Sequence, residues 1–327
     1  MCIRDRGVFG SERVKTSNLC SEITLHTSKD ETAVCCLSSV NLEYYDEWKD
    51  NDEFIYDIML FLDNVLDDFI ELGVNAGLSK AVKTAFEERS VGLGAMGFHS
   101  YLQSKMIPFE SALAKSINLN IFRHLKLSAN HASSGIARLR GNCPDCVDSE
   151  LYQRFTHKLA IAPTASISII ANNVSPSIEP YTGNIYVSKT LSGSHVVKNR
   201  HLTDILESLG KNNDEIWNSI AANDGSIAHL DFLSDDVKEV FKTAREIDQN
   251  RIIEHAADRQ KYICQSQSVN LFLRSDISKR DLHNIHFSAW SKGLKSLYYL
   301  RATAGHKADN ISKKSEVYKY DECLACE

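Results

Sequence analysis

Segments with the periodicity of amphipathic helices alternate with short apolar segments along this sequence. Residues 54–72 repeat apolar side chains about every 3.6 positions, which predicts a helix that packs one face on a core. Similar patterns predict further helices at 111–140, 149–159 and 281–295, a mostly helical segment at 235–265, a strand or turn at 33–42, and strands at both ends of 160–172 and at 297–301. Because helices and strands are mixed rather than segregated, we expect an α/β fold.

Three glycines, Gly92, Gly94 and Gly97, form a G-x-G-x-x-G pattern in an otherwise apolar stretch. This pattern binds dinucleotides when it follows a strand and when an acidic residue comes about 20 positions later. The sequence has neither feature, so we interpret the glycines as small residues that let a loop or a helix pack closely.

The composition excludes several classes of protein. The chain has 327 residues, 43% hydrophobic content and a net charge of −6, values that are ordinary for a soluble globular protein. No basic patch dominates, which disfavours electrostatic binding of nucleic acid, and no apolar run approaches the roughly 20 residues that span a bilayer. Residues 1–6 lack the apolar region of a signal peptide, so we expect a cytoplasmic location.

The heptapeptide at 17–23, SNLCSEI, places an amide, a thiol and a carboxylate at alternate positions. If the segment is extended, Asn18, Cys20 and Glu22 share one face. Such a set could hold a polar substrate, attack it and move its protons. A half-buried strand with a structural cysteine explains the heptapeptide equally well, since free cysteines are often buried.

Two further features could carry chemistry, and each has a structural alternative. The hydroxylic loop at 163–166, PTAS, could cradle a phosphate with its N–H and hydroxyl groups, or it could simply join two strands. Tyr298 and Tyr299 are typical of packing in a strand. Two adjacent phenols near a cysteine could also relay an electron and a proton.

Nine cysteines are many for a chain without an export signal, and four of them form two C-x-x-C pairs. Cytosolic cysteines of this kind tend to bind metal or to act in catalysis. Cys323 and Cys326 end a charged tail that begins at Thr303, which we expect to be flexible and to act as a dithiol shuttle. We interpret Cys143 and Cys146 as a turn between helices. If both pairs met in space, a non-catalytic, zinc-stabilised binding module would be the alternative.

Seven segments, taken together and in this order, resemble the C-terminal half of the large catalytic subunit of class I ribonucleotide reductase. They are SNLCSEI, AVCCLSSVNL, RSVGLGAMGFHSYL, APTASISIIANNVSPSIEP, DRQKYICQSQSVNLF, LYYLR and the terminal C-x-x-C. The resemblance covers nearly the whole chain from about Val14 onward.

The resemblance implies a fold. In that family the catalytic region is a ten-stranded α/β barrel of two half-barrels around a central finger loop. The implied organisation is the second half-barrel with the finger loop at 14–170, a smaller C-terminal α/β region at 171–302 and a flexible redox tail at 303–327. Residues 1–13 fit nothing in the family, and we interpret them as a leader or as a scar of truncation.

The resemblance also implies a role for the opening heptapeptide. Cys20 matches the cysteine that becomes a thiyl radical and abstracts the 3′-hydrogen of a ribonucleotide. Glu22 matches the general base on the 3′-hydroxyl, and Asn18 matches an amide that binds the substrate. Cys35, in preference to its neighbour Cys36, matches one of the two thiols that reduce the substrate while they form a disulfide.

The remaining site residues follow from the same resemblance. Tyr298 and Tyr299 match the radical-transfer pair of the family, and Cys323 and Cys326 match its tail dithiol. The substrate-binding residues that it implies are Ser17, Asn18, Cys20, Glu22, Pro163, Thr164, Ala165, Ser166 and Ile167.

Partners are implied as well. We expect no metal or cofactor in this chain, because the radical comes from a metal cofactor on a separate small subunit. The other expected partners are thioredoxin or glutaredoxin, a ribonucleoside diphosphate substrate and a second copy of the full-length subunit; membranes and nucleic acids are not expected.

The upstream half would carry the second cysteine of the pair and the allosteric nucleotide sites, so we expect this chain to be inactive alone. The alternative is a reductase with another radical source, such as cobalamin, which would not need a tyrosine pair.

Overall fold

The computed structural model describes residues 14–147, 152–190 and 193–302, with the side chains of 188–195 left undescribed. These residues form eleven α-helices and three two-stranded sheets, which confirms the expected α/β class. The helices are α1 Tyr45–Trp48, α2 Asp52–Asn75, α3 Ser79–Glu88, α4 Phe98–Ser104, α5 Ala112–Arg140, α6 Ile167–Ile170, α7 Arg200–Ser208, α8 Asp214–Ala222, α9 Asp235–Val240, α10 Gln249–Gln260 and α11 Lys279–Ser291. The strands are β1 Cys36–Asn41, β2 Val91–Met96, β3 Ile185–Thr190, β4 Gly193–Lys198, β5 Leu271–Leu273 and β6 Leu300–Ala302.

The first sheet pairs β1 with β2 in parallel, with Cys36 opposite Val91. Every residue of β2 is buried. A Cβ atom added to Gly94 would lie 2.5 Å from the carbonyl oxygen of Ala160, so glycine is what allows the two backbones to approach this closely. The close packing expected of the glycines is confirmed. Gly92 and Gly94 lie in strand β2 and not in the expected loop or helix, whereas Gly97 lies directly before helix α4. The other two sheets pair β3 with β4 antiparallel and β5 with β6 parallel.

Several expected helices are present. Helix α2 buries Ile55 and Met59 on one face, as its apolar periodicity predicts, although Leu72 near its end is exposed. Helix α5 begins after Ser111, whose hydroxyl accepts a hydrogen bond from the first turn. Helices α9 and α10 lie in the segment 235–265, and α11 confirms the last expected helix.

Three expected elements are wrong. Residues 152–159, the described part of the helix expected at 149–159, are not helical. Strand β2 donates backbone hydrogen bonds of 3.0 and 2.8 Å to the carbonyl groups of His157 and Lys158. This pairing satisfies groups that a helix would satisfy internally, and tertiary contacts of this kind override helix propensity. The first strand expected in 160–172 is reduced to an isolated bridge between Ile161 and Gln267, and the second is instead the one-turn helix α6.

The buried apolar side chains form two clusters. The larger cluster runs from Val40 to Leu294 and includes residues of β1, β2, α2, α5 and α10. The smaller cluster lies between Leu202 and Phe241 and packs α7, α8 and α9 together. The division expected at residue 170 stays a prediction. Within the described residues, no helix is both long and apolar enough to cross a membrane.

A buried carboxylate ties α2 to the segments that follow α3 and α5. Asp63 is fully buried, and its oxygens lie 2.6 Å from Arg89 Nη2, 2.9 Å from Arg140 Nη1 and 2.9 Å from Arg154 Nε. Burial alone would raise the pKa of Asp63, but Arg154 and Arg89 hold that pKa below its ordinary value. The ionised carboxylate therefore balances guanidinium groups that are largely buried themselves.

We expect Asp63→Asn to lower the free energy of unfolding by about 3–5 kcal/mol, because it removes the carboxylate that pairs with the buried guanidinium of Arg154 and the buried one of the two carboxylates that pair with Arg89. Asp67→Asn, one turn later on α2, is the matched control. Asp67 also contacts Arg89, but it is half-exposed, so its loss should change the free energy by less than about 1 kcal/mol. Chemical denaturation measures both variants, and equal effects would contradict this account of the ion cluster.

Candidate active site

The heptapeptide at 17–23 forms a turn, which we call the Cys20 turn. Ser21 N donates to Asn18 O at 3.2 Å, and Ile23 N donates to the side-chain Oδ1 of Asn18 at 3.1 Å. Ser21 adopts the left-handed conformation, with φ of 67°. The extended segment that we expected is therefore wrong, because the asparagine side chain stabilises a turn instead. Asn18 is exposed, Cys20 is half-buried and Glu22 is buried, so the three do not share the face of a strand.

A buried polar segment at 265–270 supports the Cys20 turn. Ser268 Oγ lies 2.6 Å from the carbonyl oxygen of Cys20 and 3.2 Å from Oε2 of Glu22. Ser266 N donates to the carbonyl oxygen of Glu22 at 2.8 Å. One serine hydroxyl thus contacts both the backbone of the cysteine and the carboxylate of the glutamate, which fixes the two residues relative to each other.

The Cys20 thiol lies against the tyrosine pair. Its Sγ donates a hydrogen bond to the hydroxyl of Tyr298 at 3.4 Å, across 278 positions of sequence. The rings of Tyr298 and Tyr299 have centroids 4.0 Å apart and an interplanar angle of 34°. Tyr298 N donates to Val269 O at 2.8 Å, and Leu271 N donates to Tyr299 O at 2.9 Å. Two phenols and a thiol therefore form a continuous row, anchored on the end of the polar segment.

Cys35 is linked to the same polar segment. Nε2 of Gln265 lies 3.4 Å from Cys35 Sγ, and Oε1 of Gln265 accepts a hydrogen bond from Thr24 N at 3.3 Å. Burial raises the pKa of the Cys35 thiol, and the contact with Gln265 opposes that effect. Burial also raises the pKa of Cys36, whose electrostatic neighbour is Arg89 of the Asp63 ion cluster. The two adjacent cysteines thus belong to different surroundings.

The hydroxylic loop follows a segment that also pairs with the polar segment. Ile161 N donates to Ser266 O at 3.1 Å, directly before the loop. Thr164 is buried with φ of 53°, and its hydroxyl accepts a hydrogen bond from Ser177 N at 2.6 Å. Residues 165–167 are exposed. Thr164 therefore anchors the loop, and the next three residues face outward.

One C-x-x-C pair lies within the described residues, and the other does not. Cys143 and Cys146 are both buried at a one-turn 3₁₀ helix, Pro144–Cys146, after α5. The expected turn is confirmed, although no helix follows it in residues 152–159. Cys323 and Cys326 lie outside the described residues. Among the residues that are described, no three His, Cys, Asp or Glu side chains group as metal ligands.

Comparison with known proteins identifies the family. Residues 6–155 and 150–300 match the family described as "Ribonucleotide reductase, barrel domain". This chain belongs to that family. The resemblance to ribonucleotide reductase that the sequence motifs indicate is thereby confirmed.

Relatives of this ribonucleotide reductase chain are longer than it. The "Ribonucleoside-diphosphate reductase large subunit" of Invertebrate iridescent virus 6 is 52% identical over 297 residues, which cover 90% of this chain and 31% of the relative. The "Putative ribonucleoside-diphosphate reductase large subunit" of Frog virus 3 is 44% identical over 320 residues, which cover 96% of this chain and 56% of the relative. The chain spans about a third to a little over half of the length of these proteins.

A solved structure supports the same assignment. The alpha subunit of the Actinobacillus ureae class Id ribonucleotide reductase superposes with a TM-score of 0.83 at 42% sequence identity. The match covers 89% of this chain and 54% of that subunit. Within the described part of this ribonucleotide reductase chain, the strands form two-stranded sheets and isolated bridges, and no closed barrel is seen.

Sequence inspection missed the polar residues that hold the Cys20 turn, Cys35 and the tyrosine pair together. Gln265, Ser266, Ser268 and Asn270 are all buried and bond to the Cys20 turn, to Cys35 or to the tyrosine pair. Glu179, which accepts two hydrogen bonds from Asn270, was missed too. The available signal was the run QSQSVN between apolar residues, since polar groups enclosed by a core must bond inside it.

Proposed function

We propose that this chain carries the radical-forming cysteine and part of the substrate site of a ribonucleoside-diphosphate reductase large subunit. The observation that carries the proposal is the 3.4 Å contact between the Cys20 thiol and the Tyr298 hydroxyl, together with the 4.0 Å separation between the ring centroids of Tyr298 and Tyr299. A thiol and a phenol that share a hydrogen bond can exchange a proton without a large motion. Family membership supplies the reaction class.

In the proposed reaction, a radical on Tyr298 takes the hydrogen atom of the Cys20 thiol and leaves a thiyl radical. The thiyl radical abstracts the 3′-hydrogen of the ribonucleotide, and Glu22 accepts the proton of the 3′-hydroxyl. The 2′-hydroxyl then leaves as water. Cys35 and a second thiol supply two electrons and two protons and end as a disulfide, and Glu22 returns its proton to the 3′-oxygen. Cys20 returns its hydrogen to the 3′-carbon, becomes a thiyl radical again and regains a hydrogen atom from Tyr298, which restores the tyrosine radical.

The surroundings of these groups support the assigned roles. Because burial raises the pKa of Cys35, this cysteine stays a protonated thiol at neutral pH and can give a proton to the leaving hydroxyl. Ser268 holds the Glu22 carboxylate to the Cys20 turn at 3.2 Å. The exposed amide of Asn18 and the exposed loop residues 165–167 are available to a substrate and its phosphates.

The remaining parts of the proposal rest on the family. A metal-containing small subunit would supply the oxidising equivalent to Tyr299, and the dithiol Cys323 and Cys326 would reduce the active-site disulfide before thioredoxin or glutaredoxin reduces the tail. Upstream residues of a complete subunit would add the second thiol, the regulatory nucleotide sites and the other half of a ten-stranded barrel. Homodimerisation and a cytoplasmic location belong to this same proposal.

A chimeric large subunit tests the proposal. This chain replaces the matching 297-residue segment of the iridescent virus 6 large subunit, which keeps the rest of its own sequence. With the viral small subunit and a dithiol reductant, the chimera should convert ribonucleoside diphosphates to deoxyribonucleoside diphosphates, whereas this chain alone should yield no product. A folded chimera that binds substrate but forms no deoxyribonucleotide, beside an active parental enzyme, would contradict the proposal.

A further inference from the structure

A buried carboxylate lies behind the tyrosine pair and outside the set of residues that the reaction uses. We infer that Glu179 is a positioning residue for Tyr299, and that it acts through the side chain of Asn270. Its influence on radical transfer through Tyr299 rests on the proposed function, whereas its effect on the position of the Tyr299 backbone does not. Glu179 is only 5% exposed and belongs to the turn that precedes β3.

Hydrogen bonds connect Glu179, Asn270 and Tyr299, and the donor and the acceptor of each bond are defined. Asn270 N donates to Glu179 Oε1 at 3.0 Å, and Asn270 Nδ2 donates to Glu179 Oε2 at 3.2 Å. Because both carboxylate oxygens accept, the amide of Asn270 is oriented with its Oδ1 away from Glu179. That oxygen accepts the hydrogen bond of Tyr299 N at 3.0 Å. The carboxylate thus decides which end of the Asn270 amide meets the Tyr299 backbone.

Protonation of Glu179 would reverse this orientation. A proton on Oε2 makes that oxygen an O–H donor, so two donors face each other where Asn270 Nδ2 had an acceptor. The amide then turns to offer Oδ1 to the new O–H, and its NH₂ group faces Tyr299 N, which loses its acceptor. The backbone of Tyr299 would be released on one side, while the Tyr298 bond to Val269 is untouched.

The charges that act on Glu179 come from two elements. Arg259 on α10 is buried, and Arg301 on β6 lies over the Tyr299 ring, 5.4 Å from its centroid. Burial raises the pKa of Glu179 to about 7, and the bonds from Asn270 and the charges of Arg301 and Arg259 partly oppose this. The orientation of Asn270 is therefore sensitive to pH in the neutral range.

Exchanging the carboxylate and the amide tests the inference. In Glu179→Gln the new NH₂ group faces the Asn270 NH₂, so Asn270 turns and Tyr299 N is released. In Asn270→Asp two carboxylates face each other and repel. In the double variant the introduced glutamine donates to the introduced aspartate, and the backbone N of position 270 still has an acceptor. The second oxygen of that aspartate again accepts from Tyr299 N, so only the double variant restores the complete set of bonds.

The measurement is hydrogen exchange of the Tyr299 amide in the full chain, labelled with ¹⁵N-tyrosine, with the Tyr298 amide as internal control. We expect roughly tenfold faster exchange of Tyr299 in each single variant, relative to its intrinsic rate, and wild-type protection in the double variant. In the wild type, protection should rise from about pH 6 to about pH 8, on either side of the Glu179 pKa of about 7, and Glu179→Gln should remove this rise.

Wild-type protection in the single variants, or a double variant that restores nothing, would overturn the inference. If a single variant fails to fold, the thermal transition replaces hydrogen exchange as the test. Recovery of that transition in the double variant would support the inference, and no recovery would overturn it. The exchange measurement needs neither substrate nor partner, so its failure leaves the proposed reductase function standing. An inactive chimera with intact Tyr299 protection would instead count against the proposed function alone.

Discussion

Cys20→Ser should abolish nucleotide reduction by the chimeric large subunit, with a loss of at least roughly 10³-fold, the scale seen when a group that acts in the chemical step is removed. A serine O–H bond is too strong for a tyrosine radical to break, so no radical reaches the substrate. The substitution keeps the backbone carbonyl that accepts from Ser268 at 2.6 Å, and it keeps a hydroxyl near Tyr298. The fold and substrate binding should therefore survive. The rate of deoxyribonucleotide formation and the substrate Kd are the measurements.

The adjacent cysteine pair offers matched controls for this result. Cys36→Ser removes a thiol whose electrostatic neighbour is Arg89, and it should leave turnover near the parental rate. Cys35→Ser removes the thiol that Gln265 contacts at 3.4 Å and should block reduction after the radical has formed. Turnover in Cys20→Ser would contradict the assignment of Cys20, and an equal loss in Cys36→Ser would contradict the choice of Cys35 over Cys36.

The sequence predicted those helices that a regular apolar face or a capping residue marks within the helix itself. Helix α2 follows its 3.6-residue periodicity, and α5 begins at a serine cap, so both could be recognised from neighbouring residues. Residues 152–159 have a helical composition, yet their backbone bonds to β2, more than 60 positions earlier in the chain. Pairing over such a distance cannot be found from a sequence window.

The residues of the candidate site could be predicted from the sequence, but their arrangement could not. Cys20, Glu22 and Tyr298 could be chosen from their chemistry and from the family resemblance, and the structure brings them together. The shape of the Cys20 turn could not be derived from alternation, because period-two reasoning assumes an extended chain. Asn18 was itself the missed signal, since asparagine side chains commonly accept hydrogen bonds from the backbone of a turn.

The supporting residues depend on contacts between distant segments. Gln265 reaches Cys35 across 230 positions, and Asn270 reaches Glu179 across 91. Their side chains are polar but buried. Composition alone would assign a polar stretch of this kind to an exposed loop. What distinguishes them is that each one satisfies a backbone or side-chain group of the active residues, and this becomes visible only when the segments are in place.

Tyr298→Phe should have an effect as large as that of Cys20→Ser, but for a different reason. Phenylalanine keeps the ring and its contact with the Tyr299 ring, with centroids 4.0 Å apart, so the packing changes little. The lost hydroxyl is the group that lies 3.4 Å from Cys20 Sγ. Without it no phenoxyl radical forms next to the thiol, and turnover should fall by at least roughly 10³-fold.

Tyr262→Phe is the matched control, because Tyr262 is also partly buried against the core but lies in another part of the fold, at the end of α10. It should leave turnover near the parental rate. The measurements are product formation by the chimera with its small subunit and the thermal transition of each variant. If Tyr298→Phe kept near-parental turnover, the row of phenols would have no part in catalysis. The radical would then have to arise in the large subunit itself, as in a cobalamin-dependent enzyme, and the assignment of this chain to a tyrosine-relay reductase would fail even though Cys20 remained the reacting thiol.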